Sequence, residues 1–227
     1  MRWLTLIFVL GIGVAHATPN EPDRKAVDLK IIHRPIRFNE ERIELTKQYI
    51  RKHYGLKVND IKIVPKAIVV HWTGTSSLKA IWRGFNRVRL RRSRRHIIRG
   101  GALNVSAHFL VGQDGTIYRL MPENWMARHC IGLNYDSIGI ENVGDGKRHP
   151  LTEKQVAANA LLVRYLAARH PIRYLLGHME WKRFEKAPFF RELDPTYRNA
   201  KADPGARFMK KLRSRVKSLK LESSYRD

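Results

Sequence analysis

Three short apolar runs constrain this chain most: "KAIVVHW" from Lys66, "SIGIENV" from Ser137 and "RYLLGH" from Arg173. Each is aliphatic or β-branched and short, so each reads as a strand buried in a sheet. The first ends at His71 and the third at His178. A further stretch, "AHFLVGQDGTIYRLM", alternates and turns at Asp114-Gly115, the pattern of a hairpin. Helical signals separate these strands. Asn39 can cap a helix through about His53, with Ile43, Tyr49, Ile50 and Tyr54 on its apolar face. Thr152 and Gln155 have capping-box spacing, and the helix they begin runs to about His170 with Val156, Leu162, Val163 and Leu166 facing inward. Phe208, Met209, Leu212, Val216 and Leu219 give a last helix its face. This order of elements predicts an α/β fold: a single domain with a central mixed β-sheet and helices on both faces.

The ends of the chain and its charge bound where it works. Arg2, an apolar run from Trp3 to Val14 and then Ala15-His16-Ala17 have the layout of an export signal. The apolar run is too short to cross a bilayer of about 30 Å, so residues 1–17 read as a cleaved signal peptide, with no transmembrane anchor. A periplasmic or secreted bacterial protein, monomeric, is expected. Cys130 is the only cysteine, which excludes an intramolecular disulfide. The formal charge is +24. Much of it lies in Arg83–Arg99, which holds eight arginines and no acid, and in Lys210–Lys220, which holds six basic residues. Such runs invite polyanions, and anionic envelope polymers are expected partners of Arg83–Arg99. Nucleic acid is not expected, because export and the lack of aromatic residues interleaved with the arginines argue against it.

His71 and His178 fall where strands end, and strand ends are where α/β folds present functional groups. Each alone is equally a hydrogen-bonded structural histidine. "KADPGARF", from Lys201, taken alone is a helix start, with Asp203 as cap and Pro204 in the first turn. Two imidazoles and one carboxylate together would make a zinc site with one position open. Their scattering along the chain leaves both readings standing.

The ordered set "VVHWTGT", "VSAHFLVGQDGTIYRLMPE", "SIGIENVG", "LLGHMEW" and "KADPGARF" resembles the zinc-dependent N-acetylmuramoyl-L-alanine amidases of the type-2 family, relatives of the peptidoglycan recognition proteins. The resemblance implies a Zn2+ cofactor held by His71, His178 and Asp203, with Glu141 and Lys201 as catalytic residues. It implies hydrolysis of the amide between N-acetylmuramic acid and L-alanine, in peptidoglycan or muropeptides. It divides the mature chain into an N-terminal helical extension at 18–62, a catalytic domain at 63–220 and a tail at 221–227. His129, in "MARHCIG", resembles a segment lining the substrate groove, and with Trp72 and Asn142 it is expected to contact substrate. A metal-free peptidoglycan-binding protein on the same fold is the alternative, disfavoured because every ligand position is filled.

The chain also departs from the family pattern. Some relatives place a tyrosine just before the His-Phe pair, where this chain has Ala107. The spacer between His178 and Asp203 is long and contains a competing Asp194-Pro195 pair. The arginine-rich stretch resembles an insertion. Cys130 is expected to be a small buried residue and not a soft ligand, and His108 to be structural. "HMEW" contains His-x-Glu, as in zinc deaminases, but a single cysteine excludes the companion C-x-x-C.

Overall fold

The computed structural model describes residues 29–226, with the backbone alone at Arg95 and His96; the signal peptide expected at 1–17 lies outside the described residues. Six strands form one mixed sheet: β1 (Ile31–His33), β2 (Ala67–Trp72), β3 (Phe109–Val111), β4 (Ile117–Arg119), β5 (Ser137–Asn142) and β6 (Tyr174–Gly177). Their order across the sheet is β1-β4-β3-β5-β2-β6. β3, β5, β2 and β6 run parallel, whereas β3 and β4 form the antiparallel hairpin that turns at Asp114-Gly115.

Period-two alternation sorts the strand residues to the two faces. Ile68 and Val70 of β2, Ile138 and Ile140 of β5 and Phe109 of β3 face one side, where they pack against α4 (Glu153–Ala167) and α5 (Ala206–Arg215) through Leu162, Val163, Met209 and Leu212. Ala67 and Val69 face the other side, against Leu133, Trp181 and Phe184. Further along that side, Leu110 and Val143 meet Leu78, Ile81 and Phe85 of α2 (Leu78–Asn86). The first helix, α1 (Glu40–Tyr54), buries Leu45, Tyr49, Ile50 and Tyr54 against Ile63, Leu103 and Met126. Ile43, expected on that face, is only half-buried, and Leu45 takes its place.

The helix starts follow local chemistry. Asn39 Oδ1 accepts from the Arg42 N–H at 3.2 Å and begins α1. Thr152 Oγ1 accepts from the Gln155 N–H at 3.1 Å, and Gln155 Oε1 accepts from the Thr152 N–H at 2.9 Å, so the capping box is complete. Thr152→Ala removes one half of it and should cost about 1 kcal/mol, measured as a lower urea midpoint with an unchanged slope. α5 departs from expectation. Its N-terminal position is Gly205, at a φ of 89°, with no side-chain cap, so Asp203 is free of the capping role that its sequence context suggests.

Residues ahead of the matched motifs also join the sheet. β1 pairs in parallel with β4, and near the other terminus the Leu175 N–H donates to the Glu222 carbonyl at 2.8 Å beside β6. Among the described residues, no helix is long and apolar enough to cross a membrane.

Candidate active site

Three strands deliver the chemistry to one cavity. In the parallel pairing of β2 with β5, His71 lies beside Glu141. Alternation turns both side chains to the face opposite α4, where a cavity of about 430 Å³ opens. His178 follows β6 directly, as the first residue of a 3-10 turn, His178–Phe184. That turn also positions the segment carrying Lys201 and Asp203: Trp181 Nε1 donates to the Asn199 carbonyl at 3.1 Å, and the Met179 N–H donates to the Asp203 carbonyl at 2.8 Å.

Three side-chain atoms converge. His71 Nδ1 and His178 Nδ1 are 2.9 Å apart, and Asp203 Oδ2 lies 3.1 Å from the second and 3.2 Å from the first. All three residues are buried. Adjacent corners of a tetrahedron built on zinc–nitrogen bonds of about 2.0–2.1 Å are about 3.3 Å apart, so the spacing of this donor set fits three ligands of such a site. Without a cation, two imidazole nitrogens this close must share a proton or oppose their lone pairs. Burial and the neighbouring His71 push the His178 imidazole down to about 4, which keeps it neutral and able to ligate near neutral pH. Burial opposes the charge on Asp203, but hydrogen bonds from His178 and His71 outweigh it and hold the carboxyl well below the usual carboxylate range. Asp194, the competing candidate, is exposed and accepts from Thr196, so it takes no part.

Glu141 and Lys201 line the same cavity. Glu141 Oε2 is buried and has no hydrogen-bond partner among the described residues. Burial and the nearby Asp203 charge raise its carboxyl well above the usual range, against the opposing pull of Lys201 and Arg94. A buried carboxylate oxygen aimed at a cavity with nothing to bind is uncommon in folded proteins and points to a group waiting for a ligand.

His129 stands behind His71. Its Nδ1 lies 3.1 Å from His71 Nε2, and its Nε2 lies 3.4 Å from Ser137 Oγ, which donates to the Leu133 carbonyl at 2.7 Å. Asn134 Oδ1 fixes this segment by accepting from the backbone N–H groups of His129 and Cys130, both at 2.7 Å. The ring needs room from β5: a Cβ on Gly139 would come within 2.8 Å of it, so glycine in "SIGIE" is a packing requirement. His129 is therefore placed against a candidate ligand, although it still lines the cavity.

Trp72, the last residue of β2, lines the cavity. Asn142 does not. It shares the face of Ile138 and Ile140, is fully buried, donates to the His71 carbonyl at 3.1 Å and accepts from Asn159 of α4 at 2.7 Å. Period-two alternation from Glu141 already turns it away from the cavity. His108 is structural: it accepts from the Gly139 N–H at 3.0 Å, and burial drives its imidazole down to about 4. Cys130 is buried, and burial pushes its thiol far above the usual range, which makes it a packing residue. Asn134 and Tyr197 line the cavity too, yet neither belongs to a motif visible in the sequence.

Comparison with known proteins bears on the fold and on the family. Among solved structures, the chain is similar to AmpD, studied as a selenomethionine derivative, at 23% identity over 82% of this chain and 94% of that one, with a TM-score of 0.52. It is also similar to bumblebee PGRP-SA, at 18% identity over 87% of this chain and 99% of that one, with a TM-score of 0.50. The endolysin N-acetylmuramoyl-L-alanine amidase LysCS from Clostridium intestinale URNW matches at 24% identity over 67% and 83% of the two chains, with a TM-score of 0.45. No curated protein matches. The first two likenesses carry the fold. A family profile described as N-acetylmuramoyl-L-alanine amidase matches residues 59–206, the span that contains β2 to β6 and every side chain of the converging cluster. By that match the chain belongs to the N-acetylmuramoyl-L-alanine amidase family.

Proposed function

We propose that this protein is an exported, zinc-dependent amidase that hydrolyses the bond between N-acetylmuramic acid and L-alanine in peptidoglycan or its fragments. The observation that carries the reading is the convergence of His71, His178 and Asp203 on one point of a cavity that also holds a partnerless Glu141 oxygen. Zinc, when bound by those three residues, supplies Lewis-acid polarisation of a carbonyl and of water. Glu141 takes the proton of the attacking water and returns it to the departing amine nitrogen; its raised proton affinity suits both transfers. The Lys201 ammonium stabilises the negative charge that grows on the carbonyl oxygen. Trp72 forms part of the wall against which the substrate rests.

His129 serves as a positioning residue in this scheme. With His71 Nδ1 turned to the metal, the proton sits on Nε2 and is donated to His129 Nδ1, so His129 in turn donates from Nε2 to Ser137. One arrangement of protons satisfies the whole line. His129→Ala should weaken zinc binding by about 10- to 100-fold, read by competition with a chelating dye, while the circular dichroism spectrum stays unchanged.

The test of the zinc requirement is removal and return of the metal. Treatment with a chelator should abolish cleavage of a purified muropeptide, and about one equivalent of zinc per chain should restore it. Full cleavage by a protein shown to be metal-free would overturn the zinc reading. Retention on sacculi with no cleavage at any zinc level would favour a peptidoglycan-binding protein instead.

A further inference from the structure

The arginine-rich stretch divides into two kinds of residue. Arg89 is engaged, with its Nε 2.5 Å from Glu41 Oε1, and Arg99 donates to the Thr196 carbonyl. Arg83, Arg87, Arg91 and Arg94 instead line one hollow of about 500 Å³ beside α2, and no acidic residue lines it with them. Among the described residues, none of these four guanidinium groups pairs with a carboxylate. Arg94 also lines the catalytic cavity, as do Ile81, Phe85 and Val105, so the hollow and the cavity share a wall.

The backbone that presents these arginines is held from beneath. Arg42 is fully buried and donates to the carbonyls of Phe85 and Arg87. Asn104 Nδ2 donates to the carbonyls of Gly84 and Arg87, at 2.8 and 2.9 Å. Residues 88–90 then pair with 102–104, through Leu90 N–H to the Ala102 carbonyl and Asn104 N–H to the Val88 carbonyl. Burying an arginine to fix a short loop is costly: desolvation lowers the Arg42 guanidinium to about 10. A merely solubilising charged loop would not need such an anchor. The second basic run is different in kind, because Lys211 and Arg215 meet Glu153, and Arg213 meets Glu180.

We propose that the hollow walled by Arg83, Arg87, Arg91 and Arg94 is a binding site for a chain of oxyanions, carboxylate or phosphate, that leads from α2 to the mouth of the catalytic cavity. Guanidinium forks match both oxyanions in bidentate geometry, and repeated charges along a polymer satisfy several forks at once. The site would hold a charged polymer beside the cavity while a neutral amide is cut within it.

Binding is measured without turnover, so the outcome is decided apart from the amidase reading. The full chain is titrated with fluorescently labelled poly-L-glutamate and, separately, with labelled linear polyphosphate, at low and at physiological salt. Both should bind, and more weakly as salt rises, since exposed charges are screened over about 8 Å at physiological ionic strength. Arg83→Gln/Arg91→Gln should weaken binding by about tenfold or more, as expected for the loss of two charge-assisted contacts. The control Arg89→Gln/Arg92→Gln removes the same charge outside the hollow and should bind nearly as the parent does. The tighter polymer identifies whether carboxylate or phosphate is the natural chemistry. Equal weakening in the two double variants, or no binding of either polymer, would overturn the proposal. Should the first pair fold poorly by circular dichroism, Arg91→Gln alone should still bind more weakly than Arg92→Gln, and equality of those two would overturn it as well.

Discussion

Glu141→Gln should lower turnover by about 10²- to 10⁴-fold while zinc and substrate still bind, because the substitution keeps the shape of the side chain and removes its ability to take a proton. The pH profile separates this from a structural defect. Burial and the Asp203 charge raise the proton affinity of Glu141, so the ionised base is lost as pH falls through a value above the usual carboxylate range. The parent should therefore lose kcat/KM on the acidic side, and Glu141→Gln should lack that limb. Lys201→Ala is the contrasting case. It should cost about 10²- to 10³-fold through loss of charge stabilisation, with the acidic limb in place. Near-normal turnover and an unchanged acidic limb in Glu141→Gln would show that another group takes the proton.

His178→Ala should lose zinc and activity together. The substitution removes one of three donors that stand 2.9–3.2 Å apart, and the remaining imidazole and carboxylate cannot enclose a cation. Activity should fall toward the uncatalysed rate, which enzymes exceed by about 10⁶-fold or more. Element analysis of the purified variant measures the metal directly, and a retained far-ultraviolet spectrum shows that the fold persists. Full zinc occupancy in His178→Ala would remove His178 from the site.

Much of this arrangement is legible in the chain because the signals are local. Asn39 and the Thr152–Gln155 box mark helix starts within one turn, and β-branched composition marks β2. Period two tells which strand residues share a face, and it assigns Glu141 to the cavity side and Asn142 to the helix side, where Asn142 indeed lies. What remains hidden depends on distant partners. β1 has three residues, two of them exposed, and exists because β4 offers it an edge. α2 is short, yet Leu78, Ile81, Trp82 and Phe85 stand at i, i+3, i+4 and i+7, and that face meets Leu110 and Val143 on the sheet. The adjacency of His71 and Glu141 is a matter of strand register, and no spacing in sequence encodes it. Asp203 reads locally as a cap; it is released for another role because α5 starts two residues later than the Asp-Pro-Gly turn suggests, at Ala206.

The most direct test of the proposed amidase activity is the identity of its products. Purified disaccharide-peptide muropeptide is incubated with the zinc-loaded protein, and the products are identified by mass. The expected result is two fragments, the free disaccharide ending in an intact N-acetylmuramic acid carboxylate and the whole stem peptide with a free L-alanine amino terminus. Cleavage within the peptide, cleavage between the sugars, or intact substrate in the presence of bound zinc would contradict it.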